Sequence, residues 1–359
     1  MHVAYYVFRG SKLVLKYMNM QELQEISKPN GAIPAEDGVI VGVDVGGTKV
    51  AAGIVDSRGK ILRQRRIPMS ANGTAAAGLA AVVSIIDSVL ADSGAKASIR
   101  GIGICSPGPL DPKTGVVINP PNVPCWRNFP LADEIAKIYN VPVMLDNDAN
   151  VAVLAETLWG AGRGYQNVFL AIIGTGIGTG IVFDGHIYHG RTGAGGEGGH
   201  MSIDYRGPRC GCGKPGCIEI LAAGPAIAKR ARAKLIREHS NGSALLDLAH
   251  GNIGVVTSEM VGQAATAGDP LAREVLLETI QFLSRWLGNI VDMLEPDVMI
   301  MGGGVSTMLA PFFNEIKDRL PGCCVNRRCQ EIPLVSAAYG VDAGIAGGAA
   351  LCSSVLVQL

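Results

Sequence analysis

Three glycine-rich turns, one Asp-Asn-Asp segment and one cysteine cluster contain the residue types that phosphoryl transfer and metal binding need. Asp44-Val45-Gly46-Gly47-Thr48-Lys49 lies between the apolar runs 39–43 and 50–55. A tight hairpin of small residues lets backbone N–H groups and the Thr48 hydroxyl meet phosphate oxygens, while an Asp at the strand end orients Mg2+ through water. An ordinary β-turn fits the same residues. The segment from Gly174 through Thr175 and Gly176 to Gly180 lies between the apolar runs 168–173 and 181–183, placed to take the remaining phosphates. An apolar strand follows it, so it is neither a dinucleotide fingerprint nor a Walker loop. A third step, from the apolar run 298–301 into Gly302-Gly303-Gly304, suits a nucleoside. Together the three turns form the pattern of the actin and sugar-kinase ATPase fold, with ATP and Mg2+ as the expected cofactors.

Asp146-Asn147-Asp148-Ala149-Asn150 stands where a strand gives way to a helix. Phosphoryl transfer asks the protein for positioning, charge neutralisation and a carboxylate to take the hydroxyl proton. Either aspartate suits that task by composition, and helix capping explains the same residues. His200, Cys210, Cys212 and Cys217 make a Cys3His set, and the intervening Gly and Pro residues let a short loop close around one structural Zn2+. Glu197 and Glu219 flank that loop. A carboxylate accepts two directional hydrogen bonds, so such residues can tell one sugar hydroxyl configuration from another.

The elements that must position these groups follow from periodicity. Helices are expected over 78–90, 131–139 and 149–159, and strands over 99–105 and 141–145. Apolar residues at helical spacing from Leu271 to Leu294, stopped by Pro296, mark a long helix. Strands interleaved with helices indicate an α/β protein. The hairpin opening at Val39 and the one opening at Val168 share a shape, so the expected architecture is a two-lobed, actin-like fold with a duplicated hairpin-led domain. The expected division is a small lobe over 39–152, a large lobe over 153–340 and a C-terminal helix over 341–359 returning to the small lobe. Residues 1–38 read as a leader, unordered or reflecting a misassigned start.

Bulk properties narrow the partners. Lys and Arg total 31 and so do Asp and Glu, which leaves no electrostatic footprint for nucleic acid or an anionic membrane. No stretch of 18 uncharged apolar residues occurs, so no membrane span is expected. Nine cysteines, an odd number, with no signal peptide at the start, point to a reducing, cytoplasmic setting.

The set of motifs resembles the ROK family (repressors, open reading frames, kinases), and within it the bacterial glucokinases. The residues that carry the likeness are Asp44-x-Gly-Gly-Thr-Lys, Ser106-Pro-Gly-Pro-Leu-Asp111, Asn119-Pro-Pro-Asn122, Asn147-Asp148-x-Asn150, the 174–180 segment, Gly196-Glu197-Gly-Gly-His200 and Cys210-x-Cys-Gly-x-x-Gly-Cys217-x-Glu219, in order over about 39–350. The resemblance implies an ATP-dependent hexose kinase with Asp148 as base. It implies sugar contacts from Asn122, Asn147, Glu197, His200 and Glu219, and zinc on His200, Cys210, Cys212 and Cys217. It also implies a homodimer or homotetramer. Ile220-Leu221-Ala222-Ala223 departs from the more polar residues of many glucokinases, which leaves N-acetylmannosamine and fructose as competing substrates. Family repressors carry a winged helix of roughly 60 or more residues ahead of this body. The 38-residue leader is expected not to supply one, which makes a sugar-sensing regulator the alternative of another class.

Overall fold

Runs of Val and Ile place two sheets at the centre of the molecule. The computed structural model describes residues 2–9, 12–19, 39–91, 99–238 and 243–358. Strands β1 (His2–Arg9) and β2 (Lys12–Asn19) pair antiparallel, from His2 opposite Asn19 to Arg9 opposite Lys12. The expectation of an unordered leader differs there: Val, Tyr and Phe crowd these runs, and such residues suit a pleated strand. The remainder of 1–38 lies outside the described residues.

A meander of β3 (Val39–Val45), β4 (Lys49–Val55) and β5 (Ile61–Pro68) is followed by helix Ala75–Ala91. Next come β6 (Ile99–Ser106), the short pair β7 (Leu110–Asp111) and β8 (Val116–Val117), helix Leu131–Tyr139 and β9 (Val143–Asn147). Helix Asp148–Leu158 leads to β10 (Val168–Ile173), β11 (Ile177–Phe183) and β12 (His186–Ile187). A mainly helical stretch precedes β13 (Val298–Gly302) and β14 (Leu334–Ser336), and helix Ala343–Gln358 follows.

The first sheet has the order β5-β4-β3-β6-β9 and the second β12-β11-β10-β13-β14. In each, the first strand in sequence sits at the centre. It pairs antiparallel with its hairpin partner on one side and parallel with a later strand on the other. The duplication expected from two similar hairpins is thus a duplication of topology. Each sheet has its own apolar layer. Val82, Ile85 and Ile86 of helix Ala75–Ala91 meet Val43, Ile54 and Ile104 of the first sheet. Phe169 and Met299 of the second meet Leu283, Trp286 and Leu287 of helix Pro270–Leu294. Each fully buried aliphatic or aromatic side chain contributes about 1.5–3 kcal/mol relative to exposure.

Helix Pro270–Leu294 has a clear start and stop. The Asp269 side chain accepts the Ala272 N–H at 2.9 Å, Pro270 opens the first turn, and Glu295 ends it in a left-handed conformation before Pro296. Helix Ala343–Gln358 packs Ile345, Ala349 and Cys352 on Ile40, Ala51 and Val55 of the first sheet. Ala346 and Ala350 meet Leu154 and Ala155 of helix Asp148–Leu158. The approach is so close that a Cβ on Gly103 would overlap the Gly348 carbonyl.

Two boundaries differ from the sequence expectation. β9 runs to Asn147, so Asp146 and Asn147 are strand residues and the helix opens at Asp148. β11 begins at Ile177, which leaves only 174–176 as the turn. Gly178 and Gly180 are strand residues, and Gly180 is small because the Ala149 carbonyl lies where its Cβ would be.

Candidate active site

The first phosphate-type turn joins β3 to β4, closed by Gly46 N–H donating to the Lys49 carbonyl at 2.9 Å. Thr48 and Lys49 are exposed there, and a Cβ on Gly47 would lie 2.5 Å from the Asn122 carbonyl oxygen, so the 119–122 segment rests directly on the hairpin. Burial pushes the Asp44 carboxyl above its ordinary value, opposed by the Cys105 thiol bond and assisted by the nearby Asp148 charge.

Asn147 caps helix Asp148–Leu158: its side-chain oxygen accepts the Ala149 N–H at 3.0 Å, which the Asp148 Oδ1 also accepts at 2.8 Å. The capping explanation therefore holds for Asn147, while Asp148 stands in the first turn with its side chain open to solvent. The protein around the Asp148 carboxyl strips enough water from it to raise its pKa, against the hydrogen bonds that favour its charge. Asp146 points inward, only 1% exposed. Its Oδ1 accepts Asn147 N–H at 2.6 Å and the Asn150 amide at 3.0 Å, and its Oδ2 lies 2.5 Å from His189 Nε2.

A cleft cavity of about 600 Å3 opens beside these residues, lined by Asn147, Asn150, Thr179, Glu197 and His200 together with the 108–110 and 192–195 segments. Its floor is tied to the core: Trp286 donates its indole N–H to the Gly198 carbonyl at 3.0 Å, and Thr179 Oγ1 accepts the Gly198 N–H at 2.8 Å while donating to Gly196 O. Asn122, Asp148 and Glu219 are not among the lining residues, although Asp148 sits between the lining Asn147 and Asn150 in the chain. The Glu219 Oε2 instead accepts the Ile177 N–H at 3.0 Å, bracing the second glycine turn.

The turn at 174–176 borders a separate cavity of about 490 Å3 with Gly224, Arg232, Ser258 and Gly304. Gly304 and Val305 face that cavity; Gly302 ends β13, and Gly303 makes the left-handed step (φ 87°) packed on the Ile173 carbonyl.

His200, Cys210, Cys212 and Cys217 bring their ligand atoms within 4.8 Å of one another. His200 Nδ1 is 3.6 Å from Cys210 Sγ, and Cys212 Sγ is 3.6 Å from Cys217 Sγ. Ligands at Zn–S and Zn–N bond lengths on a tetrahedron stand about 3.5–3.8 Å apart, so the donor set fits a zinc ion. Glu219 Oε1 lies 3.7 Å from Cys210 Sγ and 3.9 Å from His200 Nδ1. That carboxylate therefore touches both the cysteine cluster and the second glycine turn. No local motif marks His189 or Trp286, and Thr179 lies in the 174–180 segment without a role of its own in the sequence.

Two sheets of one topology with glycine turns around a shared cleft define an actin-like ATPase fold. Residues 40–355 match the ROK family, and the chain belongs to it. It is 35% identical over 310 residues to a glucokinase of Halalkalibacterium halodurans, covering 86% of this chain and 93% of that one. A Streptomyces griseus ROK family glucokinase, solved with glucose and AMPPNP, is 31% identical with a TM-score of 0.70, over 87% of this chain and 98% of that one. A ROK family transcriptional regulator, described as a homologue of the E. coli MLC protein, is 26% identical with a TM-score of 0.79, over 95% of this chain and 84% of that one.

Proposed function

We propose that this chain is an ATP-dependent hexose kinase that phosphorylates glucose to glucose 6-phosphate. The observation that carries the reading is the cleft cavity itself, where Asn147, the neighbour of Asp148 in the chain, converges with Glu197 and His200 while the 174–176 turn borders a second cavity of about 490 Å3. The glucokinase relatives, one of them solved with glucose and AMPPNP, support the same choice of substrates.

In this reading Asp148 takes the proton of the hexose hydroxyl as that oxygen bonds to the γ-phosphorus and the bond to ADP breaks. Its raised pKa brings the carboxylate nearer the working pH, where a general base is most effective. Asn147, Glu197 and His200 orient the ring hydroxyls, with Asn122 and Glu219 at the margin. Asp44 would orient Mg2+ through water, and the ion would supply charge that offsets the phosphates. Gly46, Gly47, Thr48 and Lys49 receive phosphate oxygens from one side, and Gly174, Thr175 and Gly176 from the other. His200, Cys210, Cys212 and Cys217 would hold one Zn2+, closed to solvent ligands, which shapes the loop that presents His200 and Glu219. Cleft closure moves a lobe of residues 39–152 against one of residues 153–340.

A panel of glucose, N-acetylmannosamine, fructose and mannose with ATP, read by coupled ADP release, tests the proposal. Glucose is expected to give the highest kcat/KM. Preference for N-acetylmannosamine or fructose moves the substrate within the family. Turnover of none, together with a sugar-dependent gel shift of DNA, overturns the kinase reading in favour of the regulator, whose relative matches 95% of this chain.

A further inference from the structure

Asp146 is a carboxylate buried to 1% exposure, and no Lys or Arg among the described residues hydrogen-bonds to it. Its Oδ1 is occupied by Asn147 N–H and the Asn150 amide, and its Oδ2 by the His189 ring at 2.5 Å. A buried carboxylate is costly unless paired, so the imidazole is its counter-charge. The two partners come from different sheets. Asp146 is on β9 of the first, immediately before Asn147 and Asp148. His189 follows β12, the edge strand of the second, and starts the turn that ends at Glu197 and His200.

The far end of that turn is held by Thr179, bonded to Gly196 and Gly198, and by Trp286, bonded to Gly198, whereas its near end is held through His189. Gly190, Gly193 and Gly196 have φ of 66°, 87° and 84°, conformations in which glycine adds no side-chain anchor. The turn closes on its own start, with the Gly195 N–H donating to the His189 carbonyl at 2.9 Å. Fixing the His189 ring therefore fixes the near end of the segment that lines the cleft.

We propose that His189 is a positioning residue for the sugar: its pairing with Asp146 fastens the Glu197-bearing turn of one sheet to the Asn147- and Asp148-bearing strand of the other, and so sets hexose affinity. This rests on the kinase reading above. The groups facing His189 are Asp146 from β9, Asp111 and Lys113 from the β7–β8 turn, and Arg191 from its own turn. Asp111 is already engaged by Thr114 Oγ1 at 2.8 Å and Lys113 N–H at 3.0 Å. Asp146 therefore governs the ring. Its hydrogen bond raises the His189 pKa, against partial burial and the Lys113 charge. A raised histidine pKa gives a contact that is full below the ordinary imidazole value and is lost as pH rises through the raised one. Hexose KM should therefore climb on the alkaline side while ATP KM stays level.

The test compares the native chain with His189→Gln, Asp146→Asn and the double variant. His189→Gln is expected to raise hexose KM about 5–10-fold with ATP KM within about twofold, and to flatten the pH dependence of hexose KM. The double variant should be no worse than the poorer single, because both remove one interaction. NMR titration of the His189 ring should show a pKa above the ordinary value that falls back in Asp146→Asn. A hexose KM profile in His189→Gln that superimposes on the native one, or a native ring titrating at the ordinary value, overturns the proposal. If the native chain phosphorylates no hexose, the proposed function fails. The ring titration and its response to Asp146→Asn then decide whether the pairing links the sheets, while a hexose role is rejected.

Discussion

The β3–β4 turn and the β10–β11 turn occupy the same place in two sheets of the same strand order, yet only the first carries its own ionisable groups. Asp44 and Lys49 bracket Gly46, Gly47 and Thr48, so backbone donors and charge come from one stretch of chain. The second turn is Gly174-Thr175-Gly176, and its carboxylate is delivered from elsewhere: Glu219, in the helix Ile218–Ala222 just after the cysteine cluster, accepts the Ile177 N–H. One backbone device thus recurs while the side-chain chemistry divides. Asp44, Asp146 and Asp148 gather on the first sheet, and the cysteine cluster, Glu197, Glu219 and the cavity at the 174–176 turn gather on the second. The second turn should then depend on a remote loop in a way the first does not.

The sharpest way to break this division is Asp148→Asn. A base that acts in the transition state should leave kcat lowered by roughly 10²-fold or more with both KM values within a few-fold. Asp146→Asn, next to it but turned into the protein, should reduce kcat much less. Since a base at Asp148 has to be ionised and the surrounding protein strips water from its carboxyl and raises its pKa, the acid limb of kcat/KM should fall as pH drops through a value above 3.8, the ordinary aspartate one. Equal kcat losses in the two variants would show that the first sheet holds no single base.

Removal of zinc probes the second sheet. Metal analysis of the purified chain should give about one zinc, and Cys212→Ser should lose it together with thermal stability. Because Glu219 touches both the cluster and Ile177, hexose KM and ATP KM should rise together, by about tenfold each, as binding shared by ground and transition states is lost. A metal-free chain with native melting temperature and native KM values would mean that the thiols merely pack together.

What the sequence made readable follows the range over which the physics acts. The β3 run, its Gly-Gly-Thr turn and β4 are consecutive, so alternation and turn chemistry expose them, and the Cys-x-Cys-x4-Cys spacing announces a ligand set because a metal needs donors close together. Gly178 and Gly180 were read as loop because glycine ordinarily signals a turn, whereas Gly180 is a strand glycine serving a close helix contact. His189 with Asp146, and Trp286 with Gly198, each join a motif residue to a side chain far away in sequence that no motif marks. Only the fold makes them neighbours.

A smaller effect should separate packing from chemistry. Gly103→Ala puts a methyl group into the Gly348 carbonyl, where helix Ala343–Gln358 lies on the first sheet. Overpacking of this kind costs about 1–3 kcal/mol. The denaturant midpoint should fall while the folded enzyme keeps both KM values, since neither glycine lines either of the cavities at the cleft and at the 174–176 turn. A midpoint equal to native would show that the helix shifts freely on the sheet.

The smallest expected effect tests the support beneath the sugar side. Trp286 is fully buried, meets Phe169 edge-on at 5.6 Å between ring centres, and donates its indole N–H to the Gly198 carbonyl between Glu197 and His200. Trp286→Phe keeps the aromatic packing and removes that donor. The Gly198 carbonyl still accepts the Met201 N–H at 3.1 Å, so it is not left bare, and the loss should be near the net worth of one hydrogen bond, about 1 kcal/mol. Because the bond ends on the segment that bears Glu197, hexose KM should rise about twofold with ATP KM unchanged. A rise in ATP KM equal to that in hexose KM would place the support under the second glycine turn instead. The division between sugar and nucleotide sides within the second sheet would then have to be redrawn.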